Sequence, residues 1–533
     1  GMTNPKHLCW DLYAQCRHDK PTVIAVAGLA SSCLEMKPPG HDDYTVNWCN
    51  VKQLVARPAR VLRSLALRLA DGTTKDGTPT KVTENAEGFE VRSLKGTTGV
   101  KDLNPTGLIP VPVWENLVDA LEEDFNWHAF DYDWRRWSDR VFAEEVVDRF
   151  RASVEAALEL DGNSKAGLIG HSMGAPVILY AISMLDEDWV KDHISHVILV
   201  APAHLGAPSM VSSFSFCPFV DTQSWLPVPS VFDHTLGDLT ATWACMIGEM
   251  PVNVGGAQSW PEDYVFATVC DGRQYGLQDM GDFLDDLAAC KSHREVGPAM
   301  WPGARHIAES IKAPVVPTTI IYAVGSDTPY QVEYGSSDLG LQPKLTEVRP
   351  GDGTIVAESL EVCAANWKQA GSEIRILKEP GASKTSHKEL IVSPFTIAMV
   401  PKILRSEALT PIRVTIVNAK DLLNTDLRLI DGVSDPYCCF ELVGKPRSRR
   451  QTAVIDNDLN PEWNHEDVIY SYDKGDVLSF TVYDMDAGLT QGDFLGRATL
   501  TSDQIEAGFE GSLTFFDDYP GSLFVKVSRM SDC

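Results

Sequence analysis

Residues 167–176 read Gly-Leu-Ile-Gly-His-Ser-Met-Gly-Ala-Pro, and they constrain the fold more than any other stretch of the chain. An apolar segment runs into Gly170-His171-Ser172-Met173-Gly174, and a helical pattern, Ala175 to Leu185, follows at once. A strand that becomes a helix within so few residues has no room for side chains at the flanks of the turn, so glycines bracket the serine. The serine Oγ then stands at the carboxyl edge of a parallel sheet, above a helix N-terminus whose partial positive charge favours an oxyanion. The expectation is an α/β architecture that presents Ser172 as a nucleophile.

At 533 residues the chain exceeds one ordinary domain. From Thr22 to about Pro401, short apolar strands alternate with helices. Strands are predicted at Thr22–Val26, His128–Tyr132, Ala166–Gly170, His196–Val200, Pro317–Val324 and Glu373–Leu377. Phe142–Leu160 reads as an amphipathic helix with Val146, Val147, Phe150, Val154 and Leu158 on one face. Such alternation implies a mostly parallel sheet with helices on both faces. Two stretches interrupt it. Residues 33–115 carry charge, glycine and little periodicity. Residues 209–300 hold Phe214, Phe216, Phe219, Trp225, Leu226 and several prolines, and are expected to form a cap over the serine with an apolar rim toward lipid.

After Pro401 the character changes. Ile412–Val417, Pro436–Leu442, Ala453–Ile455, Val477–Tyr483, Gly496–Leu500 and Ser522–Val527 read as closely spaced strands of an all-β sandwich. The expected division is a first domain over 1–404 with its cap at about 209–300, a linker at Arg405–Thr410, and a second domain over 411–529.

Net charge is −28, which argues against nucleic acid and against simple electrostatic adhesion to anionic lipid. The 12 cysteines show no CxxC and no Cys/His metal spacing. Cys33 and Cys49 are near enough in sequence to pair, which the sequence leaves open. No apolar run reaches the roughly 18 residues of a spanning helix. Thr3–Lys20 lacks the apolar middle of a signal peptide, and Gly1 before Met2 reads as an expression remnant. The expected location is cytoplasmic and peripheral to membrane.

A serine alcohol needs a base to take its proton, and the base needs an orienting carboxylate. After a G-x-S-x-G elbow the chain order is serine, acid, histidine. Asp352 lies in the turn Arg349-Pro350-Gly351-Asp352-Gly353-Thr354, with Asp327 and Asp338 as further candidates for the acid. Beyond Asp352 only His387 and His465 remain, and His465 falls in the β-sandwich, which leaves His387 as the base. His171 flanks the serine but points away from it in an elbow, so it is not expected to serve as the base. Two backbone amides are expected to hold the oxyanion: Met173, after the nucleophile, and Leu29, in the turn Val26-Ala27-Gly28-Leu29.

With these residues in view, the chain resembles the lecithin:cholesterol acyltransferase family, which includes lysosomal phospholipases and phospholipid:diacylglycerol acyltransferases. The resemblance rests on Val26-Ala27-Gly28-Leu29-Ala30, Tyr132-Asp133-Trp134-Arg135, the elbow, Leu205-Gly206-Ala207-Pro208, Trp260-Pro261-Glu262-Asp263 and Gly351-Asp352-Gly353-Thr354, across roughly residues 20–400. It implies an α/β-hydrolase core with cap and lid. It also implies transfer of a fatty acyl group from a glycerophospholipid, through an acyl-serine, to water or an alcohol. Ser172, Asp352 and His387 fall on the family's triad positions. Secreted members pair the cysteine matching Cys363, yet Thr319-Ile320-Ile321-Tyr322, where its partner is expected, holds no cysteine.

Residues 411–529 carry a carboxylate pattern. Asp426 and Asp435 fall in one loop, and Asp484, Asp486 and Asp493 in another. Calcium takes six to eight oxygens, so carboxylates from separate loops must converge to hold it. With Asn460-Pro461-Glu462-Trp463-Asn464, this fragment resembles a C2 domain, and the resemblance implies that the five aspartates are its Ca²⁺ ligands. Asp431 competes with Asp426. A bound Ca²⁺ inverts the local charge and offers sites to lipid phosphate. The basic run Lys445-Pro446-Arg447-Ser448-Arg449-Arg450 reads equally as a solvated hairpin or as a source of added attraction, about 1 kcal/mol per residue near a charged membrane.

The expected activity is that of a serine acylhydrolase or acyltransferase on membrane phospholipid, recruited by Ca²⁺. Two other readings stay open: an esterase or transacylase on a soluble, non-phospholipid acyl donor, and a catalytically dead Ca²⁺-dependent membrane adaptor.

Overall fold

The computed structural model describes residues 20–530 apart from 87, 106–109, 217–232, 293, 380–384, 408–410, 426–431 and 486–491. The chain divides into two compact units, one ending at Val392 and the other beginning at Ser393.

The first unit is built on six parallel strands: β1 (Thr22–Val26), β2 (Asn126–Ala129), β3 (Ala166–His171), β4 (Ile194–Val200), β5 (Thr318–Tyr322) and β6 (Ile374–Lys378). They lie in the order β6-β5-β4-β3-β1-β2. β1, β3 and β5 are buried along their whole length. That is what a strand covered on both faces requires, and it explains why their sequences do not alternate between polar and apolar residues. Helix α1 (Arg140–Asp161) starts where the Asp139 side chain accepts from the Phe142 amide and stops at Gly162, which takes a left-handed φ of 72°. Helix α2 (Gly174–Met184) buries every residue from Gly174 to Ser183, so its apolar sequence has no solvent face to mark.

The second predicted strand, His128–Tyr132, sits earlier than expected, at Asn126–Ala129. The chain leaves the sheet after Ala129. Tyr132 turns back to donate its hydroxyl to the Ala27 carbonyl at 2.6 Å, and Asp133 caps a short 3₁₀ turn, Trp134–Arg136.

The stretch 33–115 is more regular than its sequence pattern. It holds a three-stranded sheet of Leu34–Lys37, Thr45–Val46 and Glu90–Ser93, and a hairpin of Leu67–Thr73 with Pro79–Asn85. The insertion after residue 209 also reaches further than expected. Its strands Val265–Val269 and Gln274–Gly276 join Ser326–Tyr334 and Lys344–Gly351 in one four-stranded sheet. The apolar rim is corrected at Phe214, which is 1% exposed and packs against Arg294. Phe219, Trp225 and Leu226 lie outside the described residues.

The second unit is a sandwich of two four-stranded antiparallel sheets. One comprises Glu462–Ile469, Ile412–Lys420, Ser522–Arg529 and Phe509–Thr514; the other comprises Arg450–Gln451, Pro436–Leu442, Leu478–Asp484 and Phe494–Leu500. Val414, Ile416, Phe440, Phe480, Val482 and Val525 fill the space between them. The predicted strand Ala453–Ile455 does not form. The regular ladder with Pro436–Leu442 stops at Gln451; beyond it the Thr452 hydroxyl takes the Cys438 amide at 3.0 Å, and only isolated main-chain bonds follow, from the Thr452 amide to the Cys438 carbonyl and from the Ile455 amide to the Pro436 carbonyl. Helix Pro394–Leu404, expected to close the first domain, belongs to this second unit: Phe395 meets Tyr470 edge-on, and Lys402 Nζ reaches Asp473 at 2.7 Å. No helix among the described residues is long and apolar enough to cross a membrane.

One buried group carries a testable cost. Glu249 is 4% exposed, and burial alone pushes its carboxyl well above the ordinary 4.5. A raised folded-state value means the protonated form stabilises the fold at low pH, and this is lost as pH rises from 4.5 toward the folded value. Within that window the loss is about 1.4 kcal/mol per pH unit. Glu249→Gln is therefore expected to melt higher than the wild type at pH 7, by a margin that shrinks at pH 5. Parallel melting curves at both pH values would refute this.

Candidate active site

Ser172 follows β3 directly, at the carboxyl edge of the sheet, with φ at 55°. A non-glycine residue held in this region costs on the order of 1–3 kcal/mol, so the surrounding packing must impose it. Two glycines show how tight that packing is. A Cβ at Gly174 would lie 2.0 Å from the Val26 carbonyl oxygen, and one at Gly28 would lie 2.7 Å from Ser172 Cβ and 3.1 Å from the Met173 nitrogen. The loop after β1 is thus pressed against the elbow. This puts the residue before Leu29 beside the Met173 amide.

The structure brings Ser172, Asp352 and His387 together from three separate segments. His387 Nε2 lies 2.9 Å from Ser172 Oγ, and His387 Nδ1 lies 2.8 Å from Asp352 Oδ2. A carboxylate only accepts, so Nδ1 carries its proton toward Asp352 and Nε2 is left to accept from the serine hydroxyl. Asp352 is 3% exposed. Burial pushes its carboxyl up, but the charge and hydrogen bond of His387 and the amides of Ile355 and Thr354 outweigh that and hold it below the ordinary value. Those amides donate to Oδ1 at 2.7 and 2.9 Å. The His387 amide also donates to the Asp352 carbonyl, at 2.9 Å.

The other candidates stand elsewhere. Asp327 lies in a strand opposite Pro350, and Asp338 caps the Gly340 amide at 2.9 Å. His465 packs edge-on against Phe440 in the sandwich core. Cys33 and Cys49 are both free thiols, as is Cys363.

Sequence reasoning missed what holds the turn after β1. Besides the Tyr132 hydroxyl on Ala27, Trp48 Nε1 donates to the Ala30 carbonyl at 2.9 Å and Trp134 Nε1 to the Ser32 carbonyl at 3.1 Å. Trp48, Trp134 and Trp243 pack edge-to-face around one another, with centroids 5.0–5.7 Å apart. Arg135 is fully buried and binds Asp133 and the carbonyls of Ser64 and Leu65. The Tyr132-Asp133-Trp134-Arg135 motif was the available signal; Trp48 offered none.

In the second unit, Asp435, Asp484 and Asp493 lie at one end of the sandwich, linked through the main-chain groups of Asp435 and Asp493. Asp484 Oδ1 accepts from the Asp435 amide at 2.6 Å, and its Oδ2 accepts from Thr425 Oγ1 at 2.6 Å. The Asp484 amide donates to the Asp493 carbonyl at 2.8 Å. Asp426, Asp431 and Asp486 lie outside the described residues, and among the described residues no three acidic, histidine or cysteine side chains converge as a metal-holding group. The donors present are carboxylate oxygens, Asp435 and Asp493 on loops and Asp484 at a strand end, the chemistry that Ca²⁺ selects. The basic run is partly spent: Lys445 Nζ is paired with Asp473 and Asp476 at 2.6 and 2.7 Å.

A profile of the lecithin:cholesterol acyltransferase family matches residues 74–394, and a C2-domain profile matches residues 411–515. Phosphatidylcholine-sterol acyltransferase of Eliomys quercinus is 32% identical over 255 residues, covering 48% of this chain and 68% of that protein. Lecithin-cholesterol acyltransferase-like 1 of Arabidopsis thaliana is 23% identical over 343 residues, covering 60% of this chain and 74% of that protein. Among solved structures, a C2 domain of plant extended synaptotagmin 1 aligns at 26% identity with a TM-score of 0.21, covering 24% of this chain and 98% of that one. Of such curated relatives the chain spans between 9% and 74% of their own length.

Proposed function

The chain belongs to the lecithin:cholesterol acyltransferase family and carries a C2 domain, and from that premise we propose that it is a serine acylhydrolase and acyltransferase. It cleaves fatty acyl esters of phospholipids through an acyl-serine intermediate and is brought to membranes by Ca²⁺. The observation that carries this reading is the relay from Asp352 through His387 to Ser172, with contacts of 2.8 and 2.9 Å.

His387 Nε2 takes the Ser172 proton as Oγ attacks the ester carbonyl, and Asp352 steadies the imidazolium that forms. The amides of Met173 and Leu29, with the N-terminus of α2 behind them, hold the oxyanion, and each donor of this kind is worth about 100- to 1000-fold in rate. His387 then protonates the departing lysolipid oxygen, and the acyl group remains on Ser172. Water or an alcohol enters, gives its proton to His387 and attacks the acyl-serine; His387 returns the proton to Ser172 as the product leaves.

Asp435, Asp484 and Asp493, completed by Asp426 and Asp486, would hold Ca²⁺ at the tip of the sandwich. Bound there, the ion supplies positive charge and open coordination sites for lipid phosphate.

Mass spectrometry of products from vesicles of phosphatidylcholine and phosphatidylserine, with and without a long-chain alcohol, is the direct test. Lysophospholipid should appear with free fatty acid, or with a fatty acyl ester when alcohol is present. Hydrolysis of short soluble esters with none from vesicles would instead favour an esterase on a non-phospholipid donor. Chelating Ca²⁺ is expected to lower vesicle turnover severalfold and to leave hydrolysis of a soluble short ester unchanged. Vesicle binding that survives chelation would refute the calcium role.

A further inference from the structure

His171 precedes the nucleophile, and the steps above give it no part. It ends β3, is fully buried, and sets its Nε2 3.0 Å from the main-chain oxygen of His387. A carbonyl only accepts, so this nitrogen carries the proton. The other ring nitrogen, Nδ1, is buried without a hydrogen-bond partner. A second proton there would be an unpaired N–H in a dry site, so the ring stays neutral. Burial, then the nearby His387, pushes its pKa down to about 3, in the same sense. Trp114 meets the ring edge-on, with centroids 6.4 Å apart, and fixes its plane.

We propose that His171 is a positioning residue for the base: its Nε2–H, donated to the His387 carbonyl, ties the loop bearing the imidazole to the strand bearing the serine. The inference rests on the reading of Ser172, His387 and Asp352 as the reacting groups. Residue 387 is then held at four points. Its amide and Nδ1 are engaged by Asp352 at 2.9 and 2.8 Å, its Nε2 faces Ser172 at 2.9 Å, and its carbonyl is held by His171 at 3.0 Å. Only the last of these bonds fixes the peptide that follows the base. Neutrality is part of the device. The two imidazoles lie 5.2 Å apart, and a charged ring at 171 would oppose the imidazolium that His387 must become.

The test uses the full chain and two readouts: the rate at which a fluorophosphonate probe labels Ser172, and kcat and KM on a short soluble ester. His171→Leu keeps bulk and loses the donor; His171→Gln keeps an N–H of similar reach. The Leu variant is expected to lose about 10- to 100-fold in both labelling rate and kcat with KM unchanged, because the base is misplaced rather than removed. The Gln variant should recover most of that loss. Wild-type labelling in the Leu variant, or equal losses in Leu and Gln, would overturn the proposal. Should Leu fail to fold, His171→Asn, whose donor is too short to reach, replaces it with the same expected split from Gln. A wild-type chain that the probe does not label would overturn the reading of Ser172 on which this inference rests.

Discussion

Ser172→Ala is expected to remove acyl release almost completely, with a loss on the order of 10⁵- to 10⁶-fold in kcat. The oxyanion donors and the substrate contacts survive this change. Without the hydroxyl, however, His387 has no proton to take and the carbonyl meets no nucleophile. Melting temperature should stay near the wild-type value, because alanine keeps the Cβ and meets the same strain at φ 55°. Calcium-dependent binding to vesicles should be untouched, since the loops involved belong to the other unit. A purified Ser172→Ala protein that still releases fatty acid at a measurable fraction of the native rate would remove the covalent route.

Asp352→Asn is expected to cost about 10⁴-fold in kcat while the fold persists. The reason is the direction of hydrogen bonds. Asp352 Oδ1 accepts from the amides of Ile355 and Thr354, at 2.7 and 2.9 Å, so the single oxygen of an asparagine will stay there. Its NH₂ then faces His387 Nδ1, which must turn from donor to acceptor. The imidazole proton moves to Nε2 and points at Ser172, and the base is spent. The same residue makes a pH statement. Because the folded carboxyl titrates below its ordinary 3.8, its stabilisation is present above that value and is lost as pH falls through the lower folded one. The asparagine variant should lack this acid-side loss in thermal melts, and an unchanged acid limb would refute the assignment.

The parallel sheet and the elbow could be read from the sequence because they leave period and spacing behind. β1, β3 and the Val197–Val200 end of β4 are mostly apolar runs of the right length, and Gly170 and Gly174 mark a turn that tolerates nothing larger. Asp352 and His387 were proposed from order along the chain, since few histidines lie past residue 352, and the fold brings both beside Ser172. The shape of the insertion was not legible. Its sheet draws on Val265–Val269 and Ser326–Tyr334, and pairing across such a gap leaves no local pattern. The boundary between the units also leaves no local pattern. Helix Pro394–Leu404 is apolar enough to suit either neighbour, and only the contacts of Phe395 and Lys402 say which one it joins. Trp48 was invisible as a clamp because its partner is a backbone oxygen, which has no side-chain signature.

The serine and its base lie 215 positions apart along the polymer. A ribosome that has completed the elbow, with its strained turn and its helix, has therefore presented the Ser172 hydroxyl before the imidazole it meets in the folded chain has been made. The contact between them forms only when the stretch around residue 387 has left the exit tunnel and docked. On the proposed reading of these two groups, a nascent chain that stops between them, or a fragment cut there, is expected to lack acyl-transfer activity.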